Sequence, residues 1–234
     1  HGPDILFYYH ALQPNAVSAV GFEAHERPGR DFFLRAAGIL RQSGKAELAY
    51  IYGVLCHFAL DVSYHAYVNQ KIRESRISHT EIEGEFDRSL MIADGLNPVT
   101  HCLTGHIVPS RENAEVIAPF YDGVTADNVR TALRSMIFQN KMLLAKSGAK
   151  RKLIYAVLKL TGNYEDMHGL VINPNGNPAC ADSNAELLRR YGLARGRAKA
   201  FIENLGGVLE GERNLDPLFR YNFEGTEPES GETL

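Results

Sequence analysis

Residues 48–60, LAYIYGVLCHFAL, carry no charge. They lie within a helical pattern running from about 46 to 72, a rod of roughly 40 Å at about 1.5 Å per residue. The charge-free part is shorter than the about 20 apolar residues a membrane span needs, and it contains His57. It therefore reads as a buried central helix, which must be covered by other elements. The next turns break the apolar rule. In HFALDVSYHAYVN (57–69), His57, Asp61 and His65 recur every fourth residue. Positions i, i+4 and i+8 drift only about 80° around a helix, so the three share one face. Burying such groups is unfavourable unless hydrogen bonds or a cation satisfy them.

Helical periodicity dominates elsewhere too. Residues 31–42 put Phe32, Phe33, Ala36, Ile39 and Leu40 on one stripe. SHTE (78–81) reads as a capping box, with Ser78 as N-cap and Glu81 reaching back, opening a helix to about Ala93. Thr125 caps a further helix that carries Val129, Leu133 and Met136 inward, with Gly148 as its terminator. Residues 149–161 and about 184–205 complete the set. No alternating strand is evident, and GLVINPNGNP (169–178) reads as a turn-rich loop. The expectation is a single all-α, multihelical domain over 1–223. Residues 224–234 form an acidic tail without apolar anchors, expected to be disordered.

Composition narrows the function classes. A net charge of −3 gives no nucleic-acid signature. Three scattered cysteines, Cys56, Cys102 and Cys180, suggest neither a disulfide framework nor a Cys-rich zinc knuckle. The start shows no secretory signal pattern, which makes a cytoplasmic protein without a transmembrane segment the expectation. Nothing in the sequence sets an oligomeric state.

The capping-box helix repeats the motif of the central one with His79, Glu83 and Asp87, although Asp87, beside Arg88, reads as a surface charge. Upstream, Asp4 lies in HGPDILFYYH and His25 in GFEAHERPG. The candidate ligands are thus Asp4, His25, His57, Asp61, His65, His79 and Glu83. That mixture of nitrogen and oxygen suits zinc. Seven donors exceed one tetrahedral ion and match two that share a bridging carboxylate, for which Asp61 is placed. Two zinc ions about 3.5–4 Å apart acidify a shared water and hold the oxygens of a phosphodiester. Asp4 is the candidate to orient that water or take its proton. A single i, i+4 His–Asp pair is ordinarily a local hydrogen bond; several together are costly without a metal. His10, His101, His106 and His168 lack such company.

The order GPDI, His25, H-x-x-x-D-x-x-x-H and H-x-x-x-E resembles the zinc-dependent phospholipase C family, most of all a branch whose members share GPDIxFYY near the start. The resemblance covers about the first 90 residues in motif terms. It implies that Asp4, His25, His57 and Asp61 bind one zinc, that His65, His79 and Glu83 bind a second, and that Asp61 bridges to a third ion where one exists. The secreted members use an N-terminal Trp for that third ion and place five residues between the helix Asp and the next His. This chain has no Trp and has three residues there, so two ions are expected.

The implied substrate is a phosphodiester or phospholipid. Phe7, Tyr8, Tyr9, Tyr64 and Tyr67 flank the ligands, as core aromatics or as a cage for a choline-like group. The basic residues from Lys146 to Lys159 and from Arg189 to Lys199 suit an anionic lipid or a solvated helix face. Two functions follow: a metal-dependent phosphodiester hydrolase, catalytic through Asp4 and Asp61, or a non-catalytic, metal-stabilised helical binding or sensor protein.

Overall fold

A computed structural model of the chain describes residues 1–228 and 233. The fold is all-α. Among the described residues no strand forms, and Thr226 and Thr233 make an isolated bridge. The helices are α1 (Ala16–Glu26), α2 (Gly29–Leu40), α3 (Lys45–Ser75), α4 (His79–Ala93), α5 (Arg111–Ile117), α6 (Ala126–Leu143), α7 (Gly148–Leu160), α8 (Tyr164–Met167) and α9 (Ala181–Glu210). A 3-10 helix, Gly2–Tyr8, precedes them.

Several boundaries have local causes. Thr125 and Asn128 cap α6 reciprocally: Asn128 N donates to Thr125 Oγ1, and Thr125 N donates to Asn128 Oδ1. Gly148 does not terminate α6, contrary to the sequence reading. That helix stops at Leu143, and Gly148 is the first residue of α7, whose N-cap Ser147 accepts from Lys150 N. The box at the start of α4 is also only half made. Ser78 Oγ accepts from Glu81 N, while the Glu81 carboxylate faces His168 and Asn177 instead. Helix α1 was not anticipated. It opens on a box of Asn15 and Ser18, with Ser at N3 where Glu or Gln is usual.

Contacts divide the chain into two compact units, where the sequence reads one domain. The first comprises His1–Ala66, Ile107–Met136 and Tyr191–Leu234; the second comprises Tyr67–His106 and Ile137–Arg190. The first unit is built around stacked phenylalanines. Phe58 lies 5.3 Å from Phe219 at 7° between ring planes, 5.4 Å from Phe33 and 5.9 Å from Phe201. Gly29 is confined by this stack, since a Cβ there would come within 2.7 Å of the Phe58 ring. Because Phe58 follows His57 on α3, the core anchors the helix turn that presents the site.

In the second unit, the loop read as turn-rich is bound to α4. Buried Glu85 accepts from Asn173 Nδ2 and Asn177 N, and Arg88 donates to the carbonyls of Asn173 and Pro174. The glycine pair Gly84 and Gly169 lets the two backbones meet. A Cβ on Gly84 would lie 2.5 Å from the Gly169 carbonyl oxygen.

Of the tail expected to be disordered, residues 224–228 and 233 are described, and 229–232 and 234 lie outside the described residues. In the described part, Asn222 Oδ1 accepts from Thr226 N.

Candidate metal centre

The first unit brings four predicted ligands together from three segments. Asp4 comes from the N-terminal 3-10 helix, His25 from the last turn of α1, and His57 and Asp61 from successive turns of α3. Asp4 Oδ1 lies 2.7 Å from His25 Nε2 and 3.4 Å from His57 Nε2. Asp61 Oδ2 lies 3.0 Å from His57 Nε2. Ligand atoms of Asp4, His25 and His57 all fall within 4.8 Å of one another.

The chemistry of these atoms asks for a cation. His25 Nδ1 lies 2.8 Å from the Gly21 carbonyl oxygen, an obligate acceptor, so Nδ1 holds the proton. Nε2 then turns its lone pair toward the Asp4 carboxylate, a repulsive arrangement unless a proton or metal ion stands between them. A carbonyl holding the far ring nitrogen is the usual support of a metal-binding imidazole. His57 points the same way. Its Nε2 is buried close to both carboxylates, yet neither contact has hydrogen-bond geometry, which leaves it without a hydrogen-bond partner among the described residues. The donor set and this orphaned nitrogen fit a zinc ion.

Electrostatics agree. Burial alone would pull the His57 pKa down, but the charges of Asp61 and Asp4 push it up to about 10. Burial likewise favours the neutral form of Asp4, and the two imidazoles more than reverse it, holding the carboxyl well below the usual range. A site that retains a proton so firmly is one in which proton and metal compete for the same place.

Neighbours missed in the sequence fix this geometry. Gly2 adopts φ +49°, and a Cβ there would come within 3.1 Å of the His57 ring. Its place in GPDI is therefore conformational and steric at once. Phe223 contributes its ring, 4.9 Å from that of His25 and 5.6 Å from that of His57. Its carbonyl oxygen lies 2.7 Å from His65 Nδ1, which fixes the orientation of that ring. The Gly21 and Phe223 carbonyls carry no sequence signal, because any residue supplies one.

In the second unit, His79 Nε2 lies 3.0 Å from Glu83 Oε1, one turn along α4. Both side chains are about two-fifths exposed, at 38% and 41%. Asp87 is exposed on the same helix, as the sequence reading had it. His168, set aside in the sequence, has a structural role. Its Nδ1 faces the Tyr164 carbonyl at 2.9 Å and its Nε2 faces Glu81 Oε2 at 3.0 Å.

An all-α fold presenting a buried His–Asp cluster of this composition defines a class of zinc-binding helical proteins. Residues 2–127, more than half of the chain, match the family described as zinc dependent phospholipase C, and the chain belongs to that family. No curated protein and no solved structure matches. The matched span contains all seven predicted ligands. It ends before most of α6 and the whole of α7 and α9.

Proposed function

We propose that the chain is a zinc-dependent hydrolase of phosphodiesters, phospholipase C-like, with phospholipid as its substrate class. The observation that carries this reading is the convergence of the half-buried Asp4, His25, His57 and Asp61 around a buried His57 Nε2 that lacks a hydrogen bond. Zinc held there supplies a water acidified to near neutrality and positive charge for the phosphate oxygens.

The residues divide the work by exposure. His25, His57 and Asp61 are the more buried, at 12%, 18% and 14%, and serve as ligands. Asp4, at 31%, is the group open to an arriving substrate. Its Oδ1 faces the two imidazoles, which leaves Oδ2 to orient a water for attack on phosphorus. A carboxyl held so far below its ordinary pKa accepts a hydrogen bond and does not keep the proton, so orientation is its main role. Asp61 acts as a bridging carboxylate. His65, His79 and Glu83 are proposed for a second zinc on sequence spacing and the family pattern. A cytoplasmic setting belongs to the same proposal and accords with three free cysteines.

Metal analysis of the purified protein is expected to give about two zinc ions per chain. Chromogenic phosphodiesters and phosphocholine esters are expected to be hydrolysed in a chelator-sensitive way. A natively folded, metal-free protein would remove the hydrolase reading. Bound zinc without chelator-sensitive turnover would leave a non-catalytic, metal-stabilised scaffold.

A further inference from the structure

Helix α7 is oriented against the usual rule. An amphipathic surface helix buries its apolar stripe and shows polar residues to water. Here Leu158 faces inward, and Leu153, Val157 and Leu160 are exposed at 65%, 50% and 89%. These three follow i, i+4, i+7 spacing and so form one outward stripe. Ala149 and Ala156, also exposed, widen the same face. The outer side of this helix is apolar along its whole length, about 20 Å.

Charge borders the stripe. From Ile137 to Tyr164 the sequence has six lysines and arginines and no acid, in a chain of net charge −3, so the rest carries −9. Two of these cations have internal tasks. Lys150 Nζ donates to the carbonyls of Lys141 and Leu144, and Arg151 donates to those of Val171 and Ile172. Lys152 and Lys159 lie along one edge of the apolar face, exposed, with Lys159 over the Tyr164 ring at 4.7 Å. Lys146 is exposed just before the helix.

We infer that α7 is an interfacial helix, which lays Leu153, Val157 and Leu160 against an anionic lipid surface with Lys146, Lys152 and Lys159 at headgroup level. An apolar face with a lysine border is the pattern that binds acyl boundary and anionic headgroups together. A second copy of the chain is the poorer occupant, since self-docking would bring two acid-free basic segments together. No helix among the described residues is long and apolar enough to cross a membrane, and α7 would lie in the surface plane. The segment falls outside the family match, and the inference does not depend on the zinc chemistry.

The test is co-sedimentation of the holoprotein with vesicles of phosphatidylcholine plus phosphatidylserine, and with phosphatidylcholine alone. Lipid phosphorus released to the supernatant is followed separately, so binding and hydrolysis are scored apart. The protein is expected to partition onto the anionic vesicles and to be released by salt. The triple variant Lys146→Gln, Lys152→Gln, Lys159→Gln should weaken partition by about 100-fold. Leu153→Asp with Leu160→Asp should remove it. Both variants should keep the wild-type circular dichroism and unchanged turnover of soluble esters. No partition of the wild type onto anionic vesicles overturns the inference, as does partition that neither variant changes. A concentration-dependent dimer, lost in the aspartate variant and without vesicle binding, would reassign the face to self-association.

Discussion

His57–Asp61 in the first unit and His79–Glu83 in the second are the same motif by spacing, and both pairs meet at 3.0 Å. They differ in what surrounds them. The first pair is 18% and 14% exposed, pressed by Gly2, walled by Phe223 and joined by Asp4 and His25. The second stands about two-fifths exposed on α4. Water reaches the second pair more freely and screens its charges more strongly. A more enclosed pair beside a further carboxylate requires compensation, which a proton or a bound cation would supply. Spacing on a helix shows which side chains are neighbours; burial decides whether their charges require a third party.

Three experiments test this contrast. The largest difference is expected from parallel alanine substitutions, read by urea unfolding in chelator. His57→Ala leaves Asp4 and Asp61 facing each other in a buried site and should cost about 3–5 kcal/mol, whereas His79→Ala should change stability by about 0.5 kcal/mol or less. Equal costs would refute the contrast. With metal restored, His57→Ala is expected to lower zinc affinity by more than about 100-fold.

A smaller effect probes the support of the first site. Gly2→Ala places a Cβ against the His57 ring at a left-handed φ and should cost about 1–2 kcal/mol. Zinc titration should show weaker binding, by about tenfold, without loss of helix content. Unchanged affinity would mean that His57 is positioned by the core alone.

The smallest effect lies in the second unit and depends on pH. Burial disfavours the charged form of His168, but Glu81 and the Tyr164 carbonyl outweigh it and raise the pKa above the ordinary value. A folded pKa above the unfolded one gives stabilisation that is complete below about pH 6.5 and lost as pH rises through the folded value. The wild type should therefore lose about 1 kcal/mol relative to His168→Gln across that window, since the partly solvated pair is screened. Parallel pH profiles of the two proteins would show that the loop is not held on α4 by this charge.

Much of this was legible in the sequence, for identifiable reasons. Helix α3 announced itself by length and by apolar periodicity, and its His and Asp residues by their repeat. The fold class followed from the lack of alternation. Helix α5 is too short to show a period, and α1 opens on a box whose third position is Ser18 in place of a longer acid or amide. Gly148 reads in the sequence as a terminator, and the adjacent Ser147 cap makes it a start instead. Glu81 looked like half of a cap because that partner is three residues away. His168, its actual partner, is 87 residues away. The carbonyls that orient His25 and His65, like the division into units made of separated segments, belong to tertiary placement and leave no local trace.

The position of Phe223 has a consequence for how the protein is made. A ribosome releases His25, His57 and His65 early, and Phe223, whose ring lies beside the first two and whose carbonyl holds the third, follows roughly 160 residues later, an interval of roughly 10 to 30 s at ordinary synthesis rates. During that interval the imidazoles and carboxylates are tethered to a chain whose phenylalanine stack is still missing Phe201 and Phe219. A chain cut short before residue 217 would lack both Phe219 of the core stack and Phe223, the ring beside His25 and His57, and the N-terminal neighbours Gly2 and Phe7 would be left to cover those imidazoles.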